Sequence, residues 1–350
     1  MKNNEPLVLI LCGGRSLRLW PLSEYKSKNF LDIFGFSPLE LTIRRFSKIT
    51  SSNNIFLITN CKEKNALIKL KLIKKENIFC EPESKNTAAA ILLALFYLRK
   101  KFSQDKPLII SPVDHLIKNE EYFYSAVKKS LAVSKNGWIC TLGIKPTQAT
   151  PNFGYIQVDK EVEKDVFSIK RFVEKPTRPQ AQELIRKGDS FYNSGMFISS
   201  IHILDKEYKK HYSYYNIFFD AFRRIKHPCD KNVSYIYKKL EDIPFDKAIM
   251  EKTAKIRLIR ANFFWRDFGS WHSIYEVLPK DASGNVKRGK AFIYNGENNF
   301  IYLDDLKKKV LLLGLKDIFF IDTDDYTLLA HRHYLDNLKL ALKEFKKKVK

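Results

Sequence analysis

Leu7-Val8-Leu9-Ile10-Leu11-Cys12-Gly13-Gly14-Arg15-Ser16-Leu17-Arg18-Leu19-Trp20-Pro21-Leu22-Ser23 is the stretch that decides the fold class. Its apolar run, Leu7–Cys12, is strand-length and ends on two glycines. Such a run reads as a buried parallel strand feeding a phosphate-sized loop. A glycine turn after a strand lets backbone N–H groups approach phosphate oxygens, and the guanidinium of Arg18 adds a planar fork suited to a polyphosphate. The loop is neither a Walker A sequence, which needs GKS/T, nor GxGxxG. On residue types alone, two glycines after a strand are also an ordinary turn.

Working outward, strand-like and helix-like segments alternate. Leu39–Phe46 reads as a helix, Ile55–Thr59 as a strand, Ala66–Ile73 as a helix and Ile78–Cys80 as a short strand. Asn86–Lys101 has helical length and an Ala/Leu-rich face; Pro107–Ser111, Tyr122–Ser134 and Trp138–Gly143 follow as strand, helix and strand. This rhythm predicts a parallel sheet covered on both faces. After Gly154 come short strands at Tyr155–Val158 and Phe167–Phe172, a helix near Gln180–Lys187, a strand at Phe191–Ser199 and a helix at Trp271–Leu278. From Gly284 the chain is turn-rich and β-prone, and it ends in a Lys-rich helix, His333–Lys348. The expected class is α/β: a Rossmann-like domain with a mixed, mostly parallel sheet over residues 1–280, then a small β-rich domain over 281–350 ending in a helix. No internal repeat is evident.

Composition narrows the functional classes. The chain has 350 residues, 45% of them apolar, enough for a large core. Lys and Arg total 62 against 39 Asp and Glu, a net charge of +23. That surplus attracts anions, but the basic residues are spread along the chain, as on a solvated lysine-rich surface. There is no zinc-finger spacing and no aromatic-basic signature of an RNA-binding sheet. Five scattered cysteines, Cys12, Cys61, Cys80, Cys140 and Cys229, form no CxxC pair, which argues against a disulfide framework or structural zinc and fits a reducing compartment. No apolar run reaches the length of a membrane span. The expectation is a cytoplasmic protein with no membrane or nucleic-acid partner.

Two further segments carry candidate chemistry. Ser111-Pro112-Val113-Asp114-His115 follows a predicted strand, where ligands bind in open α/β sheets; Asp114 there suits either a metal ion or a helix N-cap. Trp265-Arg266-Asp267-Phe268-Gly269-Ser270-Trp271 contains DFG, but without an HRD loop or an upstream β3 lysine it is no protein kinase. Asp267 suits a metal ion, or a cap for the following helix. Taken alone, Glu174, Lys175 and Asn193 read as ordinary turn or strand-end residues.

In order along the chain these segments resemble the bacterial mannose-1-phosphate guanylyltransferases, a family of sugar nucleotidyltransferases. The family's GGxGxRLWPLS, then PKxF, is similar to Gly13–Ser23 and Ser27-Lys28-Asn29-Phe30. Departures are Arg15 and Ser16 at the third glycine, Ser27 for proline, and a spacing one residue shorter before Lys28. P-A-D-H resembles Pro112–His115, and W-x-D-V/F-G-S/T-W resembles Trp265–Trp271. E-P-x-x-R-N-T-A resembles Glu81–Ala88, with Lys85 for arginine before Asn86 and Thr87. Phe153-Gly154-Tyr155-Ile156, Phe172–Pro176 (FVEKP), Asn193–Phe197 (NSGMF) and Asp246–Lys252 (D-x-A-V/I-M-E-K) complete the series.

The resemblance implies transfer of a guanylyl group from GTP to mannose 1-phosphate, with Mg²⁺ held by Asp114 and Asp267. It implies a catalytic role for Arg18, Lys28, Asp114 and Asp267, with nucleotide contacts from Gly13, Gly14, Arg15, Ser16, Lys85, Asn86, Thr87 and Asp114. It assigns the sugar phosphate to Gly154, Tyr155, Glu174, Lys175, Asn193 and Gly195. The longer, bifunctional members carry a further isomerase domain, and this chain is expected to be a short form without it. Three alternatives stay open: another sugar phosphate or NTP, a catalytically silent nucleotide-sugar binder, and a basic nucleic-acid-binding protein. Self-association through the terminal unit, giving a homo-oligomer, is also left open.

Overall fold

Strand β1, Leu7–Leu11, forms where the apolar run predicts it, and Leu7 to Ile10 are all buried, so neither face of the strand meets water. The computed structural model describes residues 5–14, 17–25, 27–31, 35, 37–223 and 231–348, and the side chains of Lys28, Arg223, Lys231 and Asn232 lie outside that description. Cys229, Arg15 and Ser16, named above, also lie outside the described residues.

The strands that follow are β2 (Ile55–Asn60), β3 (Ile78–Glu81), β4 (Pro107–Pro112), β5 (His115–Lys118), β6 (Ile139–Ile144), β7 (Tyr155–Glu163), β8 (Val166–Val173), β9 (Ser190–Ser200), β10 (Ile256–Ala261) and β11 (Phe264–Asp267). A nine-stranded sheet has the order β3-β2-β1-β4-β9-β6-β10-β8-β7, and β5 pairs with β11 separately. β3, β2, β1 and β4 are mutually parallel, with Leu9 opposite both Phe56 and Ile110. The expected predominance of parallel pairing stops at β9. It runs antiparallel to β4, β6 and β7, and the β7–β8 hairpin adds two more antiparallel pairings. The hairpin is longer than its apolar core predicts, because its outer residues are exposed and polar.

The helix expected at Ala66–Ile73 instead spans Cys61–Lys69, directly after β2. Asn60 is the reason: its side-chain oxygen accepts from Glu63 N at 3.0 Å and starts the helix at once. Helix Asn86–Lys101 forms with the expected bounds, but it has no polar face through its middle: Ala88 to Leu95 are consecutively buried. It packs on β1 and β3 and also against helix Ile201–His211, whose Tyr208 hydroxyl donates to Ala88 O at 2.8 Å. Its four alanines, Ala88, Ala89, Ala90 and Ala94, let neighbouring layers approach closely, and larger apolar side chains fill the rest.

The chain packs as two units that interleave in sequence. One comprises Met1–Gly14, Thr42–Val113 and Ile117–Trp265; the other comprises Arg15–Leu41, Asp114–Leu116 and Arg266–Lys350. The expected boundary near residue 280 lies inside the second unit. Helix Trp271–Val277 belongs there because Trp271 and Tyr275 pack against Phe300, Tyr302 and Phe319 in one core.

In that second unit, β12 (Val286–Arg288), β14 (Phe300–Leu303) and β16 (Ile318–Asp322) stack in parallel, while β13 (Lys290–Tyr294) and β15 (Lys309–Leu313) stack in a second parallel sheet. The chain alternates between the two sheets as a short solenoid, closed by the antiparallel β17 (Thr327–His331). Its successive turns are riveted by asparagines. Asn285 Oδ1 accepts from Asn299 N (2.9 Å) and Nδ2 (3.1 Å), and Asn299 Oδ1 accepts from Ile318 N (2.9 Å). Both side chains are buried and replace the backbone partners that tight turns leave unmet.

One acid lies in the core of the first unit. Glu81, at the end of β3, is 4% exposed and accepts from the Tyr237 hydroxyl at 2.6 Å. Burial raises its carboxyl to about 7, outweighing the opposing effect of that hydrogen bond.

Two outcomes follow from this packing. Leu92→Ala removes a fully buried side chain from the central helix and is expected to cost about 2–5 kcal/mol, against about 0.5 kcal/mol or less for Leu340→Ala at an exposed position; urea unfolding midpoints check both. For Glu81 the folded-state pKa lies above the ordinary value of 4.5, so its contribution is fully present below that value and is lost as pH rises through about 7. Relative to Glu81→Gln, the wild type is expected to lose on the order of 3 kcal/mol between pH 4.5 and 8, read from unfolding midpoints of both proteins across that range.

Candidate functional site

The parallel arrangement of β1 to β4 brings their carboxyl ends to one edge, where the loops after them begin. Gly13 and Gly14 follow β1 at this edge. Gly14 has φ +96°, a left-handed backbone that glycine adopts without steric cost. Gly13 is required for space instead: a Cβ built there would stand 3.1 Å from Glu81 Oε2. Glu81, at the end of β3, therefore packs against this loop, a contact that carries no sign in the sequence.

At the start of helix Asn86–Lys101, Asn86 takes a left-handed backbone and its side chain accepts from Thr87 N at 3.0 Å. The Thr87 hydroxyl oxygen accepts from Phe245 N at 2.8 Å, which ties this helix start to a neighbouring loop. Lys85 precedes the helix with its ammonium 3.9 Å from Glu83.

The sugar-side residues named from the sequence do gather, all within the first unit. Asn193 N donates to Gly154 O at 2.8 Å, joining the turn before β7 to β9. A Cβ on Gly154 would lie 2.5 Å from Glu174 Oε2 and 3.4 Å from Asn193 Cβ. Glu174 in turn pairs with the Lys175 ammonium at 2.9 Å, and Lys175 is held at φ 48°. Gly195 N donates to Asn193 Oδ1 at 3.0 Å, with φ +73° at the glycine. Tyr155 stands apart from the others in kind. Its ring is buried, its hydroxyl bonds the backbone of Thr150 as donor and acceptor at 3.0 Å, and it packs edge-on to Tyr192. Its backbone, not its side chain, faces the cluster.

Sequence reading missed two members of this group. Asp246, half-buried, accepts from Asn193 Nδ2 at 2.7 Å, and Thr141 donates its hydroxyl to Asn193 Oδ1 at 3.1 Å. The D-x-A-V/I-M-E-K string marked the first; a threonine inside a strand gave no signal for the second.

The two candidate metal-binding aspartates lie in the second unit. Asp114 sits between β4 and β5, and because a strand rather than a helix follows, the N-cap reading falls. Asp267 ends β11. Its alternative as a helix cap also falls, since Ser270 caps helix Trp271–Val277 through a reciprocal pair with Ser273. Pairing of β5 with β11 sets the aspartates side by side: Phe268 N donates to Asp114 O at 2.7 Å. Asp114 is 8% exposed. Arg18 joins them, for a Cβ built on Gly269 would lie 2.4 Å from Asp267 Oδ2 and 3.2 Å from Arg18 Nη2.

Arg18 belongs to a segment with firm anchorage in the same unit. Trp271 Nε1 donates to Trp20 O at 2.8 Å, Trp20 packs on Tyr326 and Phe345, and the Tyr25 hydroxyl donates to Asp325 at 2.8 Å. Lys28 opens the short turn Lys28–Phe30. Carboxylate oxygens are the ligand type that Mg²⁺ takes, so Asp114 and Asp267 are the residues here that could hold one.

Comparison with known proteins identifies the family. The nucleotidyl transferase family model matches residues 7–284. A mannose-1-phosphate guanylyltransferase of Escherichia coli is 31% identical over 96% of this chain and 75% of its own length. The alginate biosynthesis protein AlgA of Pseudomonas aeruginosa is 31% identical over 96% of this chain and 71% of its own. The crystal structure of a mannose-1-phosphate geranyltransferase from Thermus thermophilus matches with a TM-score of 0.87 at 25% identity, covering 98% of this chain and 99% of that one. The nine-stranded sheet, the ordered segments and these relatives agree: the chain belongs to the nucleotidyl transferase family, among the mannose-1-phosphate guanylyltransferases.

Proposed function

We propose that the chain transfers a guanylyl group from GTP to mannose 1-phosphate, releasing pyrophosphate and forming GDP-mannose. The observation that carries this reading is the pairing of β5 with β11, which sets Asp114 beside Asp267 and leaves Arg18 next to them. It is supported by the relatives' names and by the separate gathering of Gly154, Glu174, Lys175 and Asn193.

The chemistry asks little of a general base. A phosphate monoester has a second pKa of about 6, so the sugar phosphate is largely dianionic at neutral pH. Its oxygen attacks the α-phosphorus, and the bond to pyrophosphate breaks. The difficulty is repulsion between two anions, so the protein's task is alignment and neutralisation. Asp114 and Asp267 would hold a Mg²⁺ ion, which when bound neutralises phosphate charge and orients the triphosphate. Arg18 and Lys28 stabilise charge on the departing pyrophosphate. Gly13 and Gly14 present backbone N–H groups to the triphosphate, with Lys85, Asn86 and Thr87 toward the nucleoside. Lys175 receives the incoming sugar phosphate, and Glu174 accepts from sugar hydroxyls. The product is an activated sugar, the kind of donor that polysaccharide synthesis consumes.

Two measurements test the proposal. Purified protein with Mg²⁺, mannose 1-phosphate and each NTP in turn is expected to release pyrophosphate with GTP, and Asp114→Asn and Asp267→Asn are each expected to lower kcat by roughly 10²–10³-fold. Release with a different NTP alone, or none from folded protein, overturns the named reaction. Gly269→Ala is a subtler probe: its methyl group would occupy the space of Asp267 Oδ2. A kcat lowered at least about tenfold is expected from the displaced carboxylate and Arg18, with the melting temperature nearly unchanged; full activity would mean that their placement beside Gly269 does not matter.

A further inference from the structure

The segment Asp246–Met250 is a single π-helical turn, closed by Glu251 N donating to Asp246 O at 2.8 Å. An i→i+5 turn is uncommon and is found mostly at functional sites. Its first residue, Asp246, and the residue that caps it, Glu251, each bond a member of the cluster around Gly154.

Asp246 acts on Asn193. The Asn193 amide makes three side-chain hydrogen bonds: Nδ2 donates to Asp246 Oδ1 at 2.7 Å, while Oδ1 accepts from Gly195 N at 3.0 Å and from the Thr141 hydroxyl at 3.1 Å. A flipped amide would set its NH₂ against the Gly195 N–H and its oxygen against the Asp246 carboxyl. The carboxyl therefore selects one orientation, and through it the backbone of the Asn193–Gly195 turn. Glu251 acts on the other wall: its Oε1 accepts from Glu174 N at 2.9 Å, at the corner where Lys175 takes its left-handed backbone.

We propose that Asp246 is a positioning residue for the sugar phosphate. Its carboxyl fixes the Asn193 amide while Glu251, at the end of the same π turn, fixes the Glu174–Lys175 corner, so that one short segment sets the spacing of both walls. The inference rests on the functional reading given above and adds to it a residue that is placed to touch no substrate.

The protonation of Asp246 fits the same role. Burial first, and then the charge of Glu174, raise its carboxyl well above the usual carboxylate range, against the smaller opposing effects of Lys175 and the Asn193 hydrogen bond. The groups facing it are Glu174 and Lys175 from the turn after β8, Tyr208 from helix Ile201–His211, and Glu251 from its own segment. With its proton retained, Asp246 still accepts from Asn193 and does not repel Glu174. Once the proton leaves at higher pH, repulsion between the two carboxylates loosens the Glu174–Lys175 corner.

The test is steady-state pyrophosphate release with GTP and varied mannose 1-phosphate, from pH 6 to 9, for wild type, Asp246→Ala and Asp246→Asn. In Asp246→Ala the KM for mannose 1-phosphate is expected to rise at least about tenfold, with the KM for GTP changed less than about twofold. Asp246→Asn can still accept from Asn193, so it is expected to restore a KM near that of wild type around pH 6.5 and to show a smaller rise above neutrality. An unchanged mannose 1-phosphate KM in Asp246→Ala overturns the inference, and so does an equal rise in both KM values. If Asp246→Ala does not fold, Asp246→Asn decides alone: a pH profile identical to that of wild type overturns the inference. Failure of the wild type to turn over mannose 1-phosphate overturns the proposed function, and this inference with it; wild-type turnover with unmoved variants overturns only the inference.

Discussion

The hydrogen bond from Phe268 N to Asp114 O joins two segments that lie far apart in the chain, and the candidate chemistry depends on it. A lone aspartate after a strand is an ordinary residue. Two of them, fixed as neighbours by the pairing of β5 with β11, are the carboxylates on which the proposed cation role rests. Backbone pairing is a good device for this purpose. It sets side-chain spacing through main-chain geometry, with no long flexible side chain to order. The same unit fixes Arg18 by burying the residues after it: Trp20 is held by Trp271 Nε1 and packed by Tyr326 and Phe345. The C-terminal solenoid thus has a part in placing a functional arginine from the amino-terminal loop. That accounts for a second unit assembled from three separated stretches of sequence.

Much of the fold could be read from local pattern. β1 and helix Asn86–Lys101 appear where their apolar content predicts, because both are buried on all sides and their composition leaves few alternatives. Boundaries moved where a polar residue took control, as when Asn60 started a helix immediately after β2. The central antiparallel strand β9 was recognisable as a strand but not in its direction. Strand direction depends on where the chain returns from, and the preceding hairpin and helix carry no local mark of that. The stacked turns of the solenoid were missed for a related reason. Asn285 and Asn299 bond across the turn, and Asn299 bonds onward to Ile318, but the coils differ in length and leave no fixed period to detect.

The site divides in the same way. Asp114, Asp267, Glu174, Lys175 and Asn193 were nameable because the short strings that hold them resemble the family's motifs in the family's order. Tyr155 was named on equal grounds, yet the structure gives its side chain to the core, where its hydroxyl satisfies the backbone of Thr150. Asp246 and Thr141 went unassigned because their importance lies in which atoms they reach. No sequence rule states that an aspartate in a π-helical turn and a strand threonine will divide the two ends of one asparagine amide between them.

A single constraint recurs at the candidate carboxylates. Gly13 faces Glu81, Gly154 faces Glu174 and Gly269 faces Asp267, with the absent Cβ atoms 3.1, 2.5 and 2.4 Å from a carboxylate oxygen. Of these three glycines none has a left-handed backbone, so conformational freedom is not what they supply. They supply room. A carboxylate laid directly over main chain is restrained on one side by atoms that cannot rotate away, and its remaining lone pairs point elsewhere, toward a metal ion or a hydroxyl. The distances also rank the demand. At Gly13 the neighbour has to give by only a few tenths of an ångström, whereas at Gly154 and Gly269 the oxygen itself occupies the methyl's place. The two tightest contacts belong to the carboxylates assigned to the sugar and to the cation, and the loosest to the buried acid that braces the loop. Glycine is thus needed most strictly where a carboxylate must be aimed, and less so where it has only to be buried.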